Sequence, residues 1–226
     1  MKIIVRGIGW LTKEAYGGVR TGVTHVYAAG EGADTLSKKD IFSYPVKNFG
    51  RFDRVSRMTC YAAALALRDA ALAYSAFQKQ DIGVIGTSSA GSLQADVEYF
   101  KDYIEGGRTL SRGNLFIYTL PSSPLGEAAI HFGLRGPLLY LQDHDASLSA
   151  VIDASEEMLL AGETPLVLAG KVEQDESLFL VLQADPVSDT PLLCDLSSLR
   201  TLTETNPGIP GLIKSCSVLG SKKGVV

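Results

Sequence analysis

Cysteine, histidine, methionine and tryptophan are scarce in this chain: three, three, three and one among 226 residues. Cys60, Cys194 and Cys216 are widely spaced and odd in number. That argues against a disulfide framework and fits reduced thiols in a cytosolic protein. No run of about 18 apolar residues exists, so no transmembrane helix is expected. In residues 1–30 the apolar run Ile3–Val5 is cut by Arg6, so no signal peptide is expected and the cytoplasm is the expected compartment. There is no block of five like charges, and the formal net charge is −4. Nucleic acid and anionic membranes are therefore not expected partners. No internal repeat is visible at a period of 20–50 residues.

What is present is a hydrophobic fraction of 46%, enough for a sizeable core in one domain. Residues 1–10 read as a first strand that leaves the core through a glycine turn. Residues 11–50 read as loop-rich. Asp53 leads into a helix from Ser56 to about Tyr74, with Met58, Tyr61, Ala62, Leu65 and Leu72 on one face. Asp81–Thr87 reads as a buried strand ending in the small-residue turn Ser88–Ser92. Leu93, Val97, Phe100 and Ile104 then mark a helix of clean period. Ser122 or Ser123 caps the next helix, with Pro124 near its first position and Gly133 closing it.

Leu138–Leu141 reads as a buried strand, followed by the polar knot Gln142-Asp143-His144-Asp145. A helix begins near Ala146, with Leu148, Val151, Ile152, Met158 and Leu159 on one face, and Gly162 stops it. Strands over 166–172 and 177–183 are too close for a crossover helix and should form an antiparallel hairpin. Leu192–Leu202 is either a strand or a short helix. Asn206–Gly211 reads as a turn cluster and Ser221–Val226 as a frayed tail. Strands alternating with helices imply an α/β domain with a largely parallel sheet.

Five stretches occur in a fixed order: Gly7-Ile8-Gly9; the helix Asp53–Ala70 with its paired arginines and alanines; Ile82–Ser92 (IGVIGTSSAGS); Phe132–Pro137 (FGLRGP); and Gly162, Gly170 and Glu173. Together, over roughly residues 1–183, they resemble the N-terminal half of a β-ketoacyl-acyl-carrier-protein synthase of the thiolase superfamily. The resemblance implies a thiolase-like half-fold, a mostly parallel mixed sheet with helices on both faces. Residues 1–226 would form a single domain with a poorly matched tail over 184–226. In that family two similar halves pack together, and the nucleophile strand lies at a dimer interface. The nucleophile is a cysteine eight residues after the proline of the GP motif. Counting from Pro137 reaches Asp145. The family's two catalytic histidines, expected from the C-terminal half, have no counterpart here, where the last histidine is His144.

Condensation needs a thiolate to carry an acyl thioester and donors for the developing oxyanion. A carboxylate at Asp145 forms no thioester, and its acyl adduct would be a labile anhydride. The expectation is a truncated ketosynthase-like protein, silent in condensation. It would pair as a homodimer, or as a heterodimer with a complete ketosynthase in the manner of a chain-length factor, in fatty acid or polyketide biosynthesis. An acyl-carrier protein is a further implied partner. The alternative is a thioester hydrolase or other acyl-transfer enzyme that uses Asp145 and His144.

Three readings of Asp143-His144-Asp145 stay open. An aspartate could cap the following helix. His144 could move protons beside a carboxylate. The trio could supply metal ligands, although adjacent residues point apart. No cofactor or metal is expected. The turn at Thr87–Ser92 lacks a P-loop lysine and reads as a packed strand-to-helix turn. Cys60 reads as core packing, His25 and His131 have no motif partners, and Glu173 reads as structural.

Overall fold

The computed structural model describes residues 2–109, 112–142, 147–187, 190–206 and 208–221. Strands β1 (Ile3–Leu11), β2 (Ala15–Gly18) and β3 (Val23–Val26) open the chain. Short helix α1 (Lys38–Ile41) and long helix α2 (Arg54–Asp69) follow. Then come β4 (Ile82–Thr87), α3 (Leu93–Glu105), α4 (Gly113–Phe116), α5 (Ser123–Phe132), β5 (Leu138–Leu141) and α6 (Leu148–Leu160). The chain continues through β6 (Leu166–Val172), β7 (Ser177–Ala184), β8 (Cys194–Asp195), α7 (Leu196–Thr205) and α8 (Ile209–Ser221).

Among the described residues, eight strands form one mixed sheet in the order β3-β2-β1-β7-β6-β4-β5, with β8 also paired to β1. β5, β4 and β6 run parallel, and the other ladders are antiparallel. Parallel pairing therefore covers less of the sheet than the strand–helix alternation implied. The meander β1-β2-β3 and the hairpin β6–β7 each return the chain without a crossover helix. The meander also corrects the loop-rich reading of residues 11–50. β2 and β3 are short, and glycine occupies positions where a strand pattern would show a side chain. The hairpin expected at 166–183 is present.

Two cores sit on opposite faces of the sheet. Alternation along β7 sorts them: Phe179 and Val181 face α2 and α5, whereas Leu178, Leu180 and Leu182 face α6, α7 and α8. Helix α2 is buried on almost every side, because it lies backbone to backbone on β1. A Cβ built on Gly9 would stand 2.1 Å from the Ala66 amide nitrogen, and one on Gly7 2.5 Å from that of Ala70. The GIG turn of the sequence is thus an interior seam within β1. Asp53 caps α2 by accepting from the Ser56 amide at 2.9 Å. The helix ends earlier than its apolar pattern suggested, at Ala70, because Ala71 turns left-handed with φ of 56°.

The buried carboxylate of Asp69 locks this seam to the meander. It accepts from the amides of Ile8, Arg20 and Thr21 at 2.8, 2.9 and 2.9 Å, and from the Thr21 hydroxyl at 2.7 Å. On the opposite face α7 packs on α6, where Arg200 binds both Asp153 and Glu156. The stretch 192–202, left open between strand and helix, is both: β8 and then α7. The cluster expected to be a turn at 206–211 already belongs to α8 from Ile209. Residues 222–226 of the expected tail lie outside the described residues.

Candidate functional site

The parallel block β5-β4-β6 brings the ends of three strands to one rim of the sheet, the carboxyl end where α/β sheets commonly bind ligands. The described residues there are the small-residue turn after β4, Gln142 after β5, and Glu173 after β6. Tyr140 near the end of β5 ties the first two together. Its hydroxyl lies 2.9 Å from Ser88 Oγ, 3.3 Å from the Ser88 carbonyl and 3.2 Å from Gln142 Oε1. Glu173 ties in the third: it accepts from the Ser89 amide at 3.3 Å and from the Ser89 hydroxyl, and it pairs with Lys171 at 3.1 Å. Thr87 is 1% exposed and its hydroxyl has no partner among the described residues.

Asp143, His144 and Asp145 lie outside the described residues, as does Ala146. The flanking residues are described, and they change one reading. Helix α6 is capped by Ser147, whose side chain accepts from the Ser149 amide at 3.1 Å. The N-cap therefore falls on a serine, not on Asp143 or Asp145. Serine is as good an N-cap as aspartate, and it sits one residue before the apolar period begins.

His25 stacks on Tyr16 with ring centroids 5.0 Å apart, on β3 at the opposite edge of the sheet from β5. His131 lies on α5, with Nε2 3.5 Å from Glu127 and its ring 5.3 Å from that of Phe52. That pairing was readable in principle, since residues four apart share a helix face. Tyr118 donates to the same Glu127 at 3.3 Å. Burial, then the nearby Glu127 and Asp53 carboxylates, push the Tyr118 hydroxyl upward, so it remains a proton donor. Cys60 is fully buried, and desolvation pushes its thiol well above the ordinary range. Cys194 and Cys216 are buried too.

The helix expected from Leu93, Val97, Phe100 and Ile104 is present as α3, and its apolar stripe is uncovered: these residues are 62%, 39%, 61% and 40% exposed. Phe116, Ile117 and Leu120 in the next turns are also exposed. β5 was expected to be buried; it is the edge strand, and Leu138 and Leu139 stand open. Periodicity shows that a face is apolar, not that the same chain covers it.

The profile of the beta-ketoacyl synthase N-terminal domain matches residues 17–185, and the chain belongs to that family. A polyketide synthase ketoacyl synthase alpha subunit for tetracenomycin, from Streptomyces glaucescens, is 28% identical over 145 residues. That match covers 62% of this chain and 34% of the relative. A sequence from Streptomyces virginiae, described as a polyketide beta-ketoacyl synthase, is 31% identical over 123 residues, or 54% of this chain and 30% of the relative. The chain thus spans about a third of the curated relatives it matches. Among solved structures, the ishigamide ketosynthase/chain length factor superimposes with a TM-score of 0.60 at 15% identity, over 86% of this chain and 65% of that one. A ketosynthase in complex with its chain length factor, from Xenorhabdus doucetiae, gives 0.58 at 13% identity, over 83% and 81%. These likenesses establish the thiolase-like fold.

Proposed function

We propose that this chain is a ketosynthase-like accessory protein of polyketide or fatty acid biosynthesis. It does not carry out condensation itself and acts by pairing with a second chain. The observation that carries this reading is the placement of its thiols. Cys60, Cys194 and Cys216 are buried in α2, β8 and α8. The turn after β5, where the family holds its nucleophile, has Asp145 at the counted position. A carboxylate there cannot hold an acyl group as a thioester.

Pairing is supported by the apolar stripe on α3 and by the open edge of β5. An exposed strand edge and a large apolar face are both features that soluble chains normally cover. The occupant is a second copy or a complete ketosynthase, and an acyl-carrier protein is a further partner. Two relatives of the fold are ketosynthase and chain-length-factor assemblies, which supports the heterodimer. We read residues 1–226 as one domain, with β8, α7 and α8 as its closing layer, and place it in the cytoplasm. Among the described residues no helix is long and apolar enough to cross a membrane.

The test has two arms. Purified protein incubated with acyl- and malonyl-carrier protein should give no condensation product. Light scattering, alone and with a full-length ketosynthase, should show a dimer or a mixed complex. Condensation by the pure chain overturns the silent reading, and a strict monomer that captures no synthase overturns the pairing.

A second reading, hydrolysis of a thioester by Asp145 and His144, gains from one observation. Ser147 caps α6, so neither aspartate is committed to the N-cap position. Acyl-thioester hydrolysis that survives in Asp145→Asn and His144→Ala would remove it.

A further inference from the structure

Strand β1 carries one residue too many for its partner. Val5 pairs with Leu182 and Gly7 with Val181, so Arg6 is the extra residue of a β-bulge. A bulge re-aims a side chain, and bulges gather beside functional sites. Here the Arg6 guanidinium reaches the end of α2, where Nη2 donates to the Ala70 carbonyl at 2.9 Å and Nη1 to Gln183 Oε1 at 3.1 Å. Arg20, just after β2, donates through Nε to the neighbouring carbonyl, that of Asp69. Two guanidiniums from different strands thus stand on adjacent carbonyls. The first turn of α2 approaches the rim described above, where Arg54 donates to the Gln174 carbonyl. The pair lies at the other end of the helix, 16 residues on, which is about 24 Å at 1.5 Å per residue.

Helix capping explains part of this arrangement. Cations are favoured at a helix C-terminus, and side chains there satisfy the last carbonyls. Three observations are left over. Arg6 Nε is buried with no partner among the described residues, and such an orphaned donor calls for an explanation. The terminal nitrogens of Arg20 make no hydrogen bond among the described residues. Neither guanidinium has an ion pair there either. The carboxylate beside them, Asp69, is taken up by the Ile8, Arg20 and Thr21 amides and the Thr21 hydroxyl. One cation would cap the helix; the second adds repulsion. Burial, then the charge of Arg20, push the Arg6 guanidinium below its ordinary value. Both side chains are half-buried, so solvent still reaches part of each.

We propose that Arg6 and Arg20 form a binding site for a tetrahedral oxyanion, phosphate or the phosphate group of a small ester, held between the two guanidiniums at the end of α2. Planar guanidinium forks match the oxygens of a phosphate, and two positive charges match a dianion. The ion fastens β1, the β2–β3 meander and α2 from outside, as the Asp69 carboxylate does from within. The proposal goes beyond the accessory role and does not depend on it, since the binding concerns a single chain and needs neither Asp145 nor a partner.

The test is calorimetric and NMR titration of the full chain at about pH 8, where phosphate is chiefly the dianion. The probes are inorganic phosphate, phenyl phosphate and acetate, at constant ionic strength. Phosphate or phenyl phosphate should saturate one site per chain and move the Nε–H resonances of Arg6 and Arg20. Acetate, flat and singly charged, should bind at least about tenfold more weakly. Arg6→Gln and Arg20→Gln should each weaken the phosphate probe about tenfold, as the loss of a charged donor predicts. Arg20→Lys, which keeps the charge, should weaken it less, and Lys47→Gln, exposed and ahead of α2, should leave it unchanged. Arg6 also holds Ala70 and Gln183, so if Arg6→Gln does not fold, Arg20→Gln with the parent's circular dichroism decides alone. Preference for the free ion or for the ester identifies the source of the phosphate, and either supports the site. No saturable binding of either, unchanged affinity in the folded arginine variants, or acetate bound as tightly as phosphate overturns it.

Discussion

The β1–α2 seam and the α3–β5 side of the molecule are both rich in apolar residues and end in opposite states. At the seam the apolar contact and the Asp69 carboxylate are closed internally. Gly7 and Gly9 let α2 rest on the strand, alanines line the contact, and the Asp69 carboxylate meets three amides and a hydroxyl. On the other side α3 has no buried residue at all, and its leucine, valine, phenylalanine and isoleucine face outward. The contrast separates two uses of hydrophobic surface. One holds the chain's own fold, and the other is left open by it.

The largest effect is expected at the seam. Gly9→Val places a side chain into the backbone of α2. Because backbone cannot give way as a flexible side chain can, the cost should be on the order of 3 kcal/mol or more, above the usual range for overpacking. Denaturant melts should show a collapsed midpoint or no folded protein, and a variant of parental stability would break the account of the seam. Asp69→Ala comes next. It leaves buried donors unpaired and frees the meander from α2, at about 3–5 kcal/mol. Hydrogen exchange should quicken first at Ile8 and Thr21.

On the open side the effect should reverse in kind. Val97→Glu with Phe100→Glu should change thermal stability by less than about 1 kcal/mol, since surface substitutions rarely cost more. The same double variant should abolish self-association or synthase capture. A large stability loss would mean that α3 is held by the chain itself, and the contrast would fail.

The smallest effect concerns Asp53. Burial raises its carboxyl above the ordinary value, against the lowering by its hydrogen bonds from Ser56. The folded state therefore favours the protonated form. The corresponding stability is present below the unfolded carboxylate range and is lost as pH rises through the raised value. Relative to Asp53→Asn, the parent should be more stable near pH 3 than near pH 7. A gap that moves in the parent's favour as pH rises would show that the cap bonds outweigh the burial.

Period and punctuation made most elements legible. The spacing of Leu148, Val151, Ile152, Met158 and Leu159 marked α6, and the short link 173–176 marked the β6–β7 hairpin. The β2–β3 hairpin was hidden because four-residue strands containing Gly17 and Gly18 carry little alternation. Exposure was not legible either. Leu138–Leu141 looks the same whether a neighbour strand covers it or not. The candidate site was readable only as a count: eight residues from Pro137 reach Asp145, but a count cannot place a side chain. The joining of Ser88, Tyr140 and Glu173 needed the strand order, because the three residues are separated by 52 and 33 positions in sequence.

Arg200, bridging α7 to α6, has a consequence for where this domain can be cut. The family profile ends at residue 185. The core on that face does not, since Leu193, Leu196, Leu199, Ile209 and Leu212 belong to it together with Ile8 and Val151. A chain severed after residue 185 would keep every position that the profile recognises and strip the sheet on one side. The boundary that evolution's statistics draw and the boundary that solubility obeys differ here by the length of two helices, and expression of the shorter piece should yield aggregate.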